Sequence, residues 1–221
     1  MQSKIIITND NSKTLLIPSL NETYHSTKGA LTESRHIFID AGIKYLAKNE
    51  LKIFEMGFGT GLNALLSLDL ANQNTLQIIY DSIEAYPISI EQAKEMDYPK
   101  ISNLTHLNNN FIQMHNIGSA QPLRLSENFL FTKYIDKIEN FNLKQDYYNL
   151  IFYDAFAPSV QAELWEKDIL KKLYESLSSK GVLVTYCAQG AFKRNLKAVG
   201  FNVHAIAGPP GKREMTRAIK D

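Results

Sequence analysis

The sequence has a single cysteine, Cys187, and lacks a long apolar run. One cysteine excludes an internal disulfide, and its place in "GVLVTYCAQG" is typical of a small buried strand residue. The start, "MQSKIIITND", has only three apolar residues before polar ones return, which is too short for a signal-peptide core or a membrane span. These absences predict a folded cytoplasmic protein that makes no contact with membranes, and no set of metal ligands is predicted either.

A strong overall charge is also missing, because the formal net charge is +1. The whole-molecule charge therefore gives no reason to expect a nucleic-acid partner. The distribution is uneven, however, since the chain from residue 190 onward has two acids and seven basic residues. The basic residues are Lys193, Arg194, Lys197, Lys212, Arg213, Arg217 and Lys220. This asymmetry favours a polyanion partner, and a solvated basic helix face is an equally good explanation.

Apolar runs alternate with amphipathic segments along most of the chain, and its length predicts a single domain. The predicted strands are 51–57, 76–87, 129–135, 147–156, 182–188, 201–207 and 213–219, and the predicted helices are 62–73, 88–98, 162–181 and 190–200. Strands separated by helices predict an α/β fold with a parallel, doubly wound sheet. The last two strands have only a Gly/Pro-rich loop between them, which predicts an antiparallel pair at a sheet edge.

Two regions fit this pattern less well. Residues 1–45 contain no strand–helix–strand unit and are predicted to form a loop and a helix that pack over the edge or mouth of the sheet, next to a Rossmann-like domain at 46–221. The first half of the stretch 101–142 shows no clear period.

The segment "EMGFGTG" places Gly57, Gly59 and Gly61 at a strand-to-helix turn. Glycine there allows positive φ and close approach of a ligand to the backbone. The spacing is GxGxG, whereas dinucleotide-binding turns have GxGxxG. Glu55 before the turn suits a cationic amino group, and Glu84 after the next strand suits a ribose diol. A nucleoside with a cationic tail therefore fits better than a dinucleotide.

This arrangement resembles the class I S-adenosylmethionine-dependent methyltransferases, from about residue 51 to the end of the chain. The resemblance implies a mostly parallel, seven-stranded, Rossmann-like sheet with an antiparallel last strand, and S-adenosyl-L-methionine as cofactor. The cofactor-binding residues that it implies are Glu55, Gly57, Gly59, Gly61, Glu84, facing the ribose, and Asp136, facing the adenine. Asp136 is equally consistent with a solvated turn. Tyr24 and Glu33 either close over the cofactor or only pack the leading segment on the sheet.

The segment "YDAFAPSVQAELW" places Asp154 at the end of a strand, near the expected position of the transferred methyl group. Methyl transfer to an amine requires a neutral nitrogen lone pair aligned with the sulfur–carbon bond. Asp154 can accept N–H bonds from the amine and take up its proton, while Phe156 packs on the acceptor base or on the cation. The loop is similar to the Asp/Asn-Pro-Pro-aromatic loop of amino-directed methyltransferases, although Ala155 and Ala157 depart from it. The alternative is that Asp154 caps the next helix.

Four segments in the same order resemble a narrower family, the tRNA wobble-uridine methyltransferases that act on 5-aminomethyl-2-thiouridine. They are "FEMGFGTGLN", "DAFAP…LW", "GVLVTYCAQGAFKRNLKAVGF" and "GPPGKREMTRA", and "YHSTKGALTESRHIFI" also matches. That family includes fusions to a flavin-dependent oxidoreductase, for which this sequence has no length left, so a separate enzyme is expected to supply the aminomethyl group. The resemblance implies that Lys212 and Arg213 reach phosphates of the tRNA anticodon loop, unless "GKRE" is an ordinary solvated loop.

Three other functions are compatible with parts of this pattern. A methyltransferase of the same fold acting on a small-molecule or protein amine would work without RNA. An NAD-dependent oxidoreductase is disfavoured by the glycine spacing. A tRNA-binding protein without catalytic activity would bind RNA in a salt-sensitive way and leave it unmodified.

Overall fold

The computed structural model describes residues 3–221, so Met1 and Gln2 of the predicted N-terminal segment lie outside the described residues. Within this range the strands form two sheets. The smaller sheet is antiparallel and contains β1 (Lys4–Ile7), β2 (Lys13–Ile17) and β3 (Glu22–Thr23). The larger sheet contains β4 (Glu50–Met56), β5 (Gln77–Ile83), β6 (Pro122–Ser126), β7 (Phe129–Tyr134), β8 (Tyr148–Tyr153), β9 (Leu177–Thr185), β10 (Asn202–Ala207) and β11 (Glu214–Ile219). Its strand order is β10-β11-β9-β8-β4-β5-β7-β6.

The centre of the larger sheet is parallel, as predicted. Strand β4 pairs in parallel with β5 and β8, and the parallel pairing continues to β7 on one side and β9 on the other. Most residues of these strands are buried because helices cover both faces of the sheet. The α-helices are α1 (Ala30–Ser34), α2 (Leu62–Asn74), α3 (Ile90–Met96), α4 (Tyr98–Ile101), α5 (Asn108–Asn116), α6 (Lys167–Ser176) and α7 (Gly190–Ala198). Among residues 3–221, no helix is both long enough and apolar enough to cross a bilayer.

The sheet has eight strands, whereas the sequence predicted seven. The additional strand is β6, which forms an antiparallel hairpin with β7 at one edge. It lies in the stretch whose period was unclear. Pro122 begins β6, and proline is tolerated there because an edge strand leaves one row of N–H groups unpaired.

The predicted antiparallel pair at the C-terminal end is confirmed. Strand β11 runs antiparallel to both β9 and β10 and lies between them, so β10 forms the edge. Because β11 runs antiparallel to β9, the β10–β11 loop lies at the carboxyl ends of the parallel strands, where a ligand crevice is expected.

The prediction of one helix over 162–181 is wrong. A 3-10 turn (Ala162–Trp165) and α6 occupy the first part, and β9 already begins at Leu177, which pairs with Tyr148 of β8. The register between β8 and β9 then shifts before Val182, so residues 178–181 form a bulge. The helical pattern fails here because Leu177 packs as a strand residue against β8.

The N-terminal segment contains more regular structure than a loop and one helix. After the small sheet, α1 continues into a π-helix, Arg35–Lys44, which packs against β8 and β9. Gly42 permits this close approach, since a Cβ atom there would lie 3.2 Å from the Phe152 ring. Arg217 on β11 also donates to the carbonyl of Ala41. The division into a segment at 1–45 and a domain at 46–221 stays a prediction.

Candidate functional site

A cavity of about 810 Å³ opens at the carboxyl ends of the parallel strands. Its wall consists of the segments that follow β4, β5, β7 and β8, together with residues of the N-terminal segment and Lys212. The volume is in the range of sites for small molecules and cofactors, and the position is the one expected for an open parallel sheet.

The glycine turn after β4 forms the floor of the cavity. The backbone N–H groups of Gly57 and Phe58 donate to the Ile83 carbonyl at 3.0 and 3.2 Å, and the N–H of Gly59 donates to Glu84 Oε2 at 2.8 Å. Gly57 has a φ of +95°, and a Cβ atom there would lie 2.6 Å from the carbonyl oxygen of Asp154. Glycine is therefore required at 57 because the end of β8 passes directly against it.

Two residues predicted to bind the cofactor do not line the cavity. Gly61 precedes α2 with a φ of +77°, and a Cβ atom there would meet His115 Nε2 at 2.8 Å, so this glycine allows the helix to begin against α5. Glu55 is fully buried on β4, where Ser82 Oγ donates to its Oε2 at 2.8 Å. Burial raises the pKa of Glu55 to about 8, against the opposing hydrogen bond from Ser82.

The other predicted cofactor residues do line the cavity. Glu84 accepts from Gly59 with one carboxylate oxygen and from the Tyr86 N–H with the other, which fixes the carboxylate at the end of β5. Asp136 lies at the exposed rim after β7, and its Oδ1 accepts from the Lys137 N–H, so it is a turn residue that also faces the cavity. Tyr24 packs beside Gly59, and burial raises its pKa to about 12.

Asp154 lies in the cavity wall at the end of β8. Its backbone N–H donates to the Met56 carbonyl, and its Oδ2 accepts a hydrogen bond of 2.9 Å from Asn63 Nδ2. Burial raises the pKa of Asp154 to about 7, and the negative charge of Glu33 adds to this effect. The Asn63 hydrogen bond and the Lys212 charge act in the opposite direction. A carboxylate with this pKa can exchange a proton near neutral pH.

The loop after Asp154 is fixed by side chains from two other elements. Tyr186 donates its hydroxyl hydrogen to the Ala155 carbonyl, and Trp165 Nε1 donates to the Phe156 carbonyl, each at 2.8 Å. The Phe156 ring meets Tyr24 edge-on, with centroids 5.0 Å apart. Asp154 does not cap the following helical turn, which begins at Ala162 and has no side-chain cap. The capping alternative is therefore wrong.

The two basic residues predicted to contact phosphates have different positions. Lys212 lines the cavity, where its Nζ lies 2.8 Å from Glu33 Oε1 and 4.4 Å from the centroid of the Tyr186 ring. Arg213 is exposed on the β10–β11 loop. Lys193 forms an ion pair of 2.6 Å with Glu214, so part of the basic excess of this segment is neutralised within it.

Sequence reasoning missed several residues of the site, above all Asn63, His25 and Thr60. His25 Nε2 lies 2.8 Å from Thr60 Oγ1 and attaches the N-terminal segment to the glycine turn. The one available signal was Asn63 itself, a polar residue among the apolar residues of the first turn of α2. Within residues 3–221, no group of three or more His, Cys, Asp or Glu side chains is arranged to hold a metal ion.

Comparison with known families gives a match over more than half of the chain. The family model for S-adenosyl-L-methionine-dependent methyltransferases matches residues 83–221. This range includes the ends of β5, β7, β8 and β9 and the C-terminal antiparallel pair, and it begins after the glycine turn.

Curated relatives are bifunctional proteins named for tRNA 5-methylaminomethyl-2-thiouridine biosynthesis, MnmC. The protein from Burkholderia pseudomallei is 28% identical over 225 residues, and the one from Burkholderia thailandensis is 29% identical over 220 residues. Both alignments cover 91% of this chain and 33% of the relative. The chain thus spans about a third of the length of the curated relatives that it matches.

Solved structures agree with this fold. MnmC2 from Aquifex aeolicus is 25% identical, with a TM-score of 0.74 over 98% of this chain and 70% of that protein. Spermidine synthase from Thermotoga maritima, at 13% identity, has a TM-score of 0.55 over 100% of this chain and 72% of the synthase, which supports the fold alone.

Proposed function

The chain belongs to the S-adenosyl-L-methionine-dependent methyltransferases, and on that premise we propose that it methylates the primary amine of 5-aminomethyl-2-thiouridine at the wobble position of tRNA. The observation that carries this proposal is the position of Asp154, a carboxyl group with a pKa of about 7 in the cavity wall directly against the glycine turn. Such a group is suited to an acceptor that must lose a proton before it can react.

The residues of the cavity fit the cofactor of the family. Gly57 and Gly59 leave the floor without side chains, and Glu84 keeps lone pairs free for hydroxyl donors such as a ribose diol, because a carboxylate has about four acceptor sites. Tyr24 would cover the cofactor, and Asp136 would face the adenine at the rim. Glu55 and Gly61 would act from behind the turn, by supporting its conformation.

The cofactor supplies a methyl group bonded to a positively charged sulfur, which is the electrophile of the reaction. The acceptor amine is an alkylammonium at neutral pH, so it has no free lone pair. Asp154 would accept one of its protons and become a carboxylic acid, which leaves the nitrogen lone pair free for the methyl group that the cofactor would supply. The products would be a methylammonium and a neutral thioether, so atoms and charges balance. A carboxyl group with an ordinary aspartate pKa would be a much weaker base.

Aromatic side chains complete the acceptor end of the cavity. Phe156 and Tyr24 form an edge-on pair beside Asp154, and Tyr186 lies below Lys212. The faces of such rings stabilise a nearby cation and exclude water, which strengthens the interaction between the ammonium and the carboxylate.

The tRNA acceptor is supported by the names of the curated relatives and by the exposed basic residues Arg194 and Arg213 near the C-terminal end of the chain. Arg213 would contact anticodon-loop phosphates, and Lys212 could do so only after leaving Glu33. The proposal includes a cytoplasmic location, no metal ion, and a separate enzyme that supplies the aminomethyl group.

The test is nucleoside mass spectrometry of tRNA that carries 5-aminomethyl-2-thiouridine, after incubation with the protein and S-adenosyl-L-methionine. We expect a gain of one methyl group on that nucleoside. In Asp154→Asn we expect loss of transfer with cofactor affinity, measured by calorimetry, largely retained. The exposed Asp40→Asn provides a matched control and should be as active as the wild type.

Two results would contradict the proposal. Methylation of small amines or protein lysines in the absence of RNA, with no gain on the tRNA, would assign the same fold another acceptor. Normal turnover by Asp154→Asn would remove Asp154 from its proposed role.

A further inference from the structure

A buried row of polar side chains lies behind Asp154, on the side away from the cavity. Asn63, in the first turn of α2, is 2% exposed and donates from Nδ2 to Asp154 Oδ2 at 2.9 Å. The Asn63 side chain also lies within hydrogen-bonding reach of the Glu55 carboxyl, whose other oxygen is bonded to Ser82. The row therefore connects β5, β4 and α2 to the carboxyl group that faces the acceptor.

Two oxygens in this row have no hydrogen-bond donor. They are Asn63 Oδ1 and Glu55 Oε1, and both are fully shielded from water. Both atoms are acceptors as long as Glu55 is a carboxylate, so neither can satisfy the other. The Tyr80 hydroxyl, which is also buried without a partner, lies beside Glu55 and can supply one donor, so one of the two oxygens remains unsatisfied while Glu55 is a carboxylate. A proton on Glu55 supplies the second donor, and burial of this carboxyl favours that form.

We infer that Asn63 is a positioning residue for Asp154, and that protonated Glu55 fixes the orientation of the Asn63 amide. This inference rests on the proposed function, because it assumes that Asp154 accepts the proton of the amine. With Oδ1 of Asn63 engaged by Glu55, the amide must present Nδ2 to Asp154.

This arrangement has two consequences for Asp154. Its Oδ2 is occupied by the amide, so Oδ1 is the oxygen that receives a proton from the acceptor. The amide donor also stabilises the carboxylate form and so lowers the pKa of Asp154, against the effect of burial. Asn63 thus keeps Asp154 usable as a base at neutral pH.

Other titratable groups around Asp154 contribute to the same equilibrium. They are Glu55 on β4, Tyr80 on β5, Glu33 on α1, Tyr98 on α4, Tyr186 after β9 and Lys212 on the β10–β11 loop. Burial raises the pKa values of the three tyrosines far above neutral pH, so they stay uncharged. Glu33 and Lys212 are paired with each other, and neither is hydrogen-bonded to Asn63 in the described chain, so we expect Asn63→Leu to leave this pair in place.

The experiment is a pH titration of the Asp154 carboxyl by NMR in protein labelled with ¹³C-aspartate, with the signal assigned through Asp154→Asn. Wild type is compared with Asn63→Leu, which removes the amide at similar volume. The matched control is Asn72→Leu, the same replacement at an exposed position of α2. We expect the midpoint to rise in Asn63→Leu and to stay unchanged in Asn72→Leu.

The pH profile of single-turnover methylation should follow the same shift. We expect roughly a fivefold lower rate for Asn63→Leu at neutral pH if the midpoint rises by one pH unit, because the carboxylate fraction falls from about one half to about one tenth, and we expect recovery of the rate at higher pH. General damage to the fold would not be restored by raising the pH. An unchanged midpoint in Asn63→Leu would overturn the inference.

The role of Glu55 has its own readout, which does not depend on activity. Infrared spectra at neutral pH should contain the carbonyl band of a protonated carboxylic acid that disappears in Glu55→Gln, and absence of this band would overturn that part of the inference. If wild type shows the expected titrations but leaves the tRNA unmethylated, the proposed acceptor is wrong and the positioning by Asn63 stands.

Discussion

The backbone at Gly57 has a positive φ and lies in close contact with the end of β8, and each of these features favours glycine. Its φ is +95°, and an added Cβ atom would lie 2.6 Å from the Asp154 carbonyl oxygen. We expect Gly57→Ala to lower the free energy of unfolding by about 1 to 3 kcal/mol, because strain of this kind costs that much. It should also displace Asp154 and lower the methylation rate.

Chemical denaturation and single-turnover rates test this expectation. Gly190→Ala is the matched control, since Gly190 begins α7 and an added Cβ atom there would meet only the end of the Arg194 side chain, at 3.3 Å. Equal stability of both variants would show that the contact with Asp154 is easily relieved.

The raised pKa of Glu55 leads to a second prediction, which concerns how the stability of the fold depends on pH. Burial raises its pKa from 4.5 to about 8, so between these values the folded chain keeps a proton that the unfolded chain has lost. Rising pH therefore favours unfolding across this window, by about 1.4 kcal/mol per pH unit for one group. In Glu55→Gln this loss should be absent.

Urea denaturation of wild type and Glu55→Gln between pH 5 and 8 measures the difference. Glu50→Gln, at the exposed start of the same strand, should keep the wild-type slope. If the unfolding free energies of wild type and Glu55→Gln changed with pH in the same way, Glu55 would be ionised in the folded protein.

The sequence predicted which acids and glycines come together but not how each acts. Glu84, Asp154 and Gly57 lie where the ends of parallel strands meet, and that follows from strand order alone. Glu55 belongs to the same motif yet lies outside the cavity lining, since alternate residues of a strand point to opposite faces, and Gly61 lies outside it because it begins α2 against His115. Asn63 and Tyr186 come from other elements, and their contacts depend on packing that a single sequence does not encode locally.

Among the elements, the glycine turn is supported by two neutral histidines. His25 from the N-terminal segment reaches the Thr60 hydroxyl, and His115 from α5 reaches the Thr60 carbonyl. Burial lowers the pKa of His25 to about 4 and that of His115 to about 3, from 6.5. Below pH 6.5 the unfolded chain binds protons that the folded chain does not, so acid should destabilise the protein by about 1.4 kcal/mol per pH unit for each histidine.

The variant His115→Phe keeps an aromatic ring against Phe58 and Phe111 and removes one of these two contributions. Its unfolding free energy, measured between pH 4.5 and 6.5, should therefore fall less steeply toward low pH than that of the wild type. His106→Gln, at an exposed position, should leave the slope unchanged. An equal slope in His115→Phe would show that His115 becomes charged without unfolding.

At the scale of elements, hydrophobic patterns predicted the parallel strands and α2 to within a few residues, because buried strands and a long apolar helix have strong signals. They failed after α6, where Leu177 continues a helical pattern but pairs with Tyr148 of β8. They also missed β6, a short and mostly exposed edge strand whose formation depends on the neighbouring β7.

For the whole molecule, the proposed tRNA partner predicts a salt-dependent affinity that involves the basic segment near the C-terminal end. Arg213 is exposed, whereas Lys193 and Lys212 are already paired with Glu214 and Glu33. We expect Arg213→Ala to reduce the slope of log affinity against log salt by about 1.

Filter binding or fluorescence anisotropy over a series of salt concentrations measures this slope. Lys100→Ala removes an exposed charge outside the basic segment and should leave the slope unchanged. Equal slopes for wild type and Arg213→Ala would exclude Arg213 from the contact with phosphate.

The position of β11 between β9 and β10 sets an order for assembly during synthesis. Strand β10 leaves the ribosome first, but it joins the sheet only through β11, which follows it. Until β11 is made and paired, β9 presents an open edge, and the loop that brings Lys212 to Glu33 is not held in place. The nascent chain therefore passes through a stage in which an unpaired strand edge is available to other chains, and the acceptor end of the cavity is completed only after the residues of β4, β5 and β8 have been synthesised.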